Sequence, residues 1–175
     1  MAIALTGCAR GHRVNGAVPR DVARANELTM KGVDQVRAGD YAAAADLFEK
    51  ALQADAYAGE AYNNLGLVYF HQGDFYQAAW HFRYAMRLLP HQPQPRNNLG
   101  LVFESAGRYD EAVAQFNDAL RLQADNPELL GNLVRARLRN GDTSPDLRDQ
   151  LQNLIAMDSR PQWRQWAQRK LTLLH

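Results

Sequence analysis

The chain has a single cysteine, Cys8, among 175 residues, so no disulfide forms within it and no cysteine-based zinc cluster assembles. It also lacks an apolar run near the roughly 20 residues that a membrane-crossing helix needs. An excess of one charge is missing as well: 20 Lys and Arg stand against 19 Asp and Glu, a formal charge of +1. Such a chain has no bulk basic field for nucleic acid or for an anionic membrane. Chemistry-bearing motifs are equally scarce. The five histidines form no HExxH and no pair at four-residue spacing, and no GxxxxGK[ST] or GxGxxG loop is present to cradle phosphates. Carboxylates such as Asp110 and Glu111 fall at helix starts, where they complement the helix dipole. A metal, a cofactor, a small-molecule substrate and a catalytic activity are therefore not expected.

A 34-residue repeat is what the chain does have. Segments 25–58, 59–92 and 93–126 superimpose without a gap, and a degenerate fourth copy fills 127–160. Small residues recur at Gly32, Gly66 and Gly100, at Ala44, Ala78 and Ala112, and at Ala51, Ala85 and Ala119. Large ones recur between them, at Leu65 and Leu99, at Tyr69 and Phe103, and at Phe48, Phe82 and Phe116. Big set against small is the pattern of two closely packed helices. Gly39, Gly73 and Gly107 lie where a helix stops, since glycine takes the left-handed cap without a Cβ penalty. An aromatic follows each, at Tyr41, Phe75 and Tyr109, with Asp40 and Asp74 placed to cap the next helix. The spacing predicts helices at 22–38, 41–54, 59–72, 75–89, 94–106 and 109–122.

The fourth copy keeps Leu130, Leu133, Ala136, Leu138 and Gly141 in register, then departs at Thr143-Ser144-Pro145. Its second helix is expected to start with Ser144 as cap and Pro145 in the first turn. A last helix, opening at Ser159-Arg160-Pro161, places Trp163, Trp166, Ala167, Lys170, Leu171 and Leu174 on one face. Segment 161–175 is thus expected to cap a solenoid, since terminal units need a polar outer side; the alternative is that Trp163 and Trp166 form a partner surface.

The run Tyr62-Asn63-Asn64-Leu65-Gly66 with Tyr69, Gly73-Asp74-Phe75, Ala78, Phe82, Ala85 and Pro90 resembles the tetratricopeptide repeat at nearly every signature position. The resemblance covers 25–126 closely and 127–157 loosely. It implies an all-α, right-handed α-solenoid of paired antiparallel helices, a superhelix whose first helices line a concave groove for a protein or peptide partner. It implies no enzymatic activity. By register the groove residues are Asn63, Asn64, Leu67, Phe70, Asn97, Asn98, Leu101 and Asn132, with Val33 beside them. Asn64, Asn98 and Asn132 share one repeat position, which Met30 breaks in the first copy. Two readings of that row stand: amides that pair with the backbone of an extended peptide, similar to the asparagine ladders of some family members, or amides that bridge neighbouring helices. Members that clamp the carboxylate of chaperone tails carry basic residues where this chain has Thr29, Gln94 and Asn98, so chaperone tails are not expected partners.

Leu5-Thr6-Gly7-Cys8 resembles a bacterial lipobox, with Cys8 as the lipidated residue and 1–20 as a lipobox-like start and tether; only Met1-Ala2-Ile3-Ala4 stands before it, so either the start lies inside a longer signal peptide or the match is accidental and Cys8 is an ordinary residue of a tail. That resemblance implies a lipoprotein of the bacterial cell envelope, anchored to the outer membrane on its periplasmic side and serving as an assembly factor of pilus or secretion type. A cytoplasmic adaptor without a lipid anchor and a self-associating structural subunit are the alternatives.

Overall fold

The computed structural model describes residues 20–174. Nine helices follow one another in this span: α1 (Val22–Ala38), α2 (Tyr41–Ala54), α3 (Gly59–His71), α4 (Phe75–Leu88), α5 (Gln94–Ser105), α6 (Tyr109–Leu122), α7 (Pro127–Arg139), α8 (Pro145–Met157) and α9 (Pro161–Leu173). They pair as α1/α2, α3/α4, α5/α6 and α7/α8, with α9 closing the stack against α8. The bounds of α1 to α6 match the sequence expectation to within one residue, and local chemistry marks several of them. Asp40 and Asp74 accept the backbone N–H of Ala43 and Gln77 at 2.9 and 3.0 Å, satisfying donors that the first helical turn leaves free. Gly39, Gly73, Gly107 and Gly141 all hold positive φ, between 73° and 81°, and end a helix with a left-handed residue.

Within each of the first three pairs the helices approach over a glycine. A Cβ on Gly32, Gly66 or Gly100 would come within 2.4, 2.7 and 2.6 Å of the rings of Phe48, Phe82 and Phe116. Those three phenylalanines have no solvent exposure, and each contributes about 2–3 kcal/mol by burial. Ala78, Phe82, Leu99, Val102, Phe103, Ala112, Phe116, Leu133 and Ala136 form the central core.

The fourth pair inverts this scheme. Val134 stands at the glycine position and Gln150 at the phenylalanine position, and α8 begins two residues late, capped by Ser144. Its core is aliphatic instead, with Val134, Leu147, Leu151, Leu154 and Ala167 all fully buried. Where the other copies carry Tyr69 and Phe103, this one carries Arg137. Its guanidinium reaches Asp142 at 2.7 Å, Ser144 at 3.0 Å and Gln150 at 2.8 Å, and also Asp146. A polar knot thus replaces the aromatic elbow. Burial works against the Asp142 charge, yet the hydrogen bonds from Ser144 and Arg137 prevail and hold its carboxyl below the usual range.

Helix α9 keeps the period. Pro161 lies 34 residues after Pro127, and both helices have 13 residues. It occupies the place of a fifth first helix, and its Trp163 ring lies 3.3 Å from where a Cβ on Gly131 would sit.

A candidate peptide-binding groove

Three hollows follow one another along the first helices. The largest, about 620 Å³, lies between α1 and α3 and is lined by Asn26, Thr29, Met30, Val33, Asp34, Arg37, Glu60 and Asn64. A second, about 250 Å³, is shared by Asn63 and Leu67 of α3, Asn97 and Asn98 of α5, and Leu129 of α7. The third, about 290 Å³, lies between α7 and α9 at Arg135, Gln162, Trp163, Trp166 and Arg169. All draw their helical walls from the inner helices, as the repeat register requires.

The asparagines are bonded to one another across the repeats. Asn98 Nδ2 donates to Asn63 Oδ1 at 2.9 Å, and Asn132 Nδ2 donates to Asn97 Oδ1 at 2.8 Å. Asn97, Asn98 and Asn132 are buried, each at most 8% exposed. Each rung joins the second amide of one repeat to the first amide of the preceding repeat. At the N-terminal end the series stops: Thr29 stands where an acceptor would be, and its hydroxyl donates to the Ala25 carbonyl at 2.8 Å. Asn64 is therefore outside the rungs; it is half-buried and faces the first hollow. Leu67, Phe70 and Leu101 are half-buried and pack against the central core, and Phe70 also meets Phe75 with ring centroids 5.8 Å apart. Met30, which interrupts the amide row, is 64% exposed at the wall of the first hollow.

The C-terminal end has a different character. Trp163 and Trp166 meet edge to face with centroids 5.4 Å apart, and the Arg135 and Arg160 guanidiniums lie 5.9 and 5.3 Å from the Trp163 centroid. Arg135 is held by Glu104 through two bonds of 2.8 and 2.7 Å. Arg160 is fixed in the same way by Asp158, whose carboxyl is lowered by the Arg160 side chain against the opposing effect of burial. Sequence reasoning missed the Arg137 knot and this guanidinium frame: Arg135 and Glu104 lie 31 residues apart, and although Arg137 and Arg160 bond to near neighbours in the chain, nothing in the repeat pattern marks those pairs. It also missed His81, which is 7% exposed with Nδ1 unbonded, and whose pKa burial lowers to about 4. Among the described residues there is no cluster of His, Cys, Asp and Glu fit to hold a metal ion, and no helix long and apolar enough to cross a membrane. Cys8 lies outside the described residues.

Paired helices on a 34-residue period, glycine-on-phenylalanine packing and an inner groove define a helical-repeat superhelix. Residues 57–125 match the family model described as tetratricopeptide repeat, and the chain has the tetratricopeptide-repeat fold. No curated protein sequence matches it. Among solved structures, the first such domain of Spaghetti (RPAP3) bound to an HSP90 peptide is similar at a TM-score of 0.68 and 22% identity, covering 71% of this chain and 99% of that one. YrrB, described as having an unusual peptide-binding site, is similar at 0.67 and 19% identity, over 77% of this chain and 69% of its own. A mutant O-GlcNAc transferase of Thermobaculum terrenum is similar at 0.69 and 24% identity, over 78% of this chain and 26% of the transferase.

Proposed function

We propose that the protein is an interaction scaffold that holds an extended segment of a partner protein along its inner groove, with the α1/α3 hollow as the principal seat. The observation that carries this reading is the contrast between the two kinds of groove residue. Asn63, Asn97, Asn98 and Asn132 are spent on the rungs, whereas Met30, Val33 and Asn64 line an open hollow with Asp34, Arg37 and Glu60 around it. An apolar wall with a few polar groups at its edge suits a peptide that buries one side chain and bonds its backbone to an amide. Two of the similar structures are named for peptide binding, which agrees with this use of the fold. Chaperone tails are not the proposed ligand, since Thr29 is neutral, buried and bonded to its own helix.

The test is affinity capture from the native host with the intact chain and with Met30→Glu/Asn64→Ala. Both residues lie off the core, so the variant retains the fold of the parent. A partner captured by the intact chain and lost from the variant supports the reading; partners retained in full by the variant overturn it.

The proposal extends to setting. Leu5-Thr6-Gly7-Cys8 supports lipidation of Cys8 and a role as an envelope-anchored assembly factor of pilus or secretion type. Intact mass of the host-expressed protein is expected to show added acyl groups that Cys8→Ser removes. An unmodified mass at the native cysteine would instead support a cytoplasmic adaptor.

A further inference from the structure

Helix α4 carries an exposed aromatic and cationic face on the outside of the superhelix. Tyr76 is 79% exposed and Trp80 47%, and with Ala79, Arg83 and Arg87 they wall a hollow of about 450 Å³. Tyr76, Trp80, Arg83 and Arg87 fall at helical spacing on one side. The face is rigid from below: Trp80 stacks on Tyr84 at 5.5 Å, Tyr84 lies 4.4 Å from Tyr62, and the buried His81 ring meets Trp80 edge-on at 4.8 Å. The Arg87 guanidinium lies over the Tyr84 ring at 4.4 Å.

Its charge is uncompensated. Every arginine of α1, α6 and α7 forms an ion pair with a carboxylate. Helix α4 contains no Asp or Glu, and among the described residues neither Arg83 nor Arg87 has a carboxylate within ion-pair distance. The first repeat has Ala42, Asp46 and Glu49 where α4 has Tyr76, Trp80 and Arg83, and the third has Asp110, Ala114 and Asn117. The face therefore belongs to the second repeat and does not follow from the repeat pattern.

We propose that this outer face of α4 is a second docking surface, separate from the groove, for an acidic protein segment that places an aromatic or aliphatic side chain on Trp80 between carboxylates held by Arg83 and Arg87. Exposed Trp, Tyr and Arg are the residue types that concentrate binding energy. Unpaired guanidiniums on an aromatic floor match carboxylates flanking an apolar anchor in both charge and shape.

The experiment uses the full chain and a fluorescein-labelled synthetic peptide of four Asp-Glu-Phe repeats, with four Ser-Gln-Phe repeats as the neutral control, read by anisotropy. Amide shifts in NMR spectra locate the site. Saturable binding of the acidic peptide is expected, with shifts on α4. It should be weakened by about tenfold or more in Arg83→Glu/Arg87→Glu and in Trp80→Ala, and unchanged in Met30→Glu/Asn64→Ala. That last variant separates this surface from the groove, so either proposal is able to fail alone. No binding of the acidic peptide, equal affinity of the charge-reversed variant, or shifts confined to the inner helices overturns the proposal. So does binding of phosphatidylglycerol vesicles in place of the peptide, which would make the face a membrane contact.

Discussion

His81 occupies the position held by Leu47 in the first repeat and Gln115 in the third. Its ring stacks on Tyr69 at 5.1 Å, and burial lowers its pKa from 6.5 to about 4. The unfolded chain therefore takes up a proton on this histidine near pH 6.5, while the folded one resists until about pH 4. Stability from this group is complete above the unfolded pKa and falls as pH drops through that window, by about 3 kcal/mol at most. His81→Leu is expected to flatten thermal melts recorded from pH 7 to pH 4; an unchanged acid slope would show that the ring does not titrate in this way. The amides divide at the same scale. Asn132→Ala leaves the buried Asn97 oxygen without its donor and is expected to cost about 1–3 kcal/mol, whereas Asn64→Ala should stay within about 0.5 kcal/mol. Denaturant melts of the two single variants check the difference. The sequence presents Asn64, Asn98 and Asn132 as one row because they share a period; their different fates depend on what stands one position earlier in the preceding repeat, Thr29, Asn63 or Asn97, which a positional pattern does not weigh.

Helices were legible from the sequence almost to the residue, since caps such as Asp40 and Ser144 and stops such as Gly39 are local signals. The fourth pair was legible in outline only. Its departure at Thr143 was visible, but the compensation by Arg137 was not, because a guanidinium on one helix and carboxylates in the next turn and helix declare themselves only once folded. Helix α9 was readable as a terminal amphipathic helix, and the structure adds that it sits in register as a further first helix. Leu147, Leu151 and Leu154 depend on it for cover. A chain ending at residue 160 is therefore expected to lose more than its share of ellipticity, to bind a hydrophobic dye and to melt less cooperatively. A sharp, native-like melt of the shortened chain would mean that α9 contributes little.

Across the whole molecule, each unit touches its neighbours and little else, so stability is the sum of unit and interface terms. Protection from hydrogen exchange is expected to be greatest in α3 to α6, which have neighbours on both sides, and least in α1, α2 and α9. Uniform protection along the array would indicate one cooperative unit instead. Fold and period were thus open to reading from sequence, while the outer face of α4 was not, for the repeat pattern describes what copies share and this face is what one copy lacks in common with the rest.

The rungs also have a direction. In both rungs the later repeat donates the N–H and the earlier one accepts it. At the front, Thr29 turns its hydroxyl inward; at the back, Gly131 has no acceptor to offer and Trp166 stands one period after Asn132. The array is punctuated at both ends, so its length is spelled by hydrogen-bond grammar: a copy of the third repeat spliced into the middle would find a partner on each side, whereas the same copy joined to either end would meet a full stop.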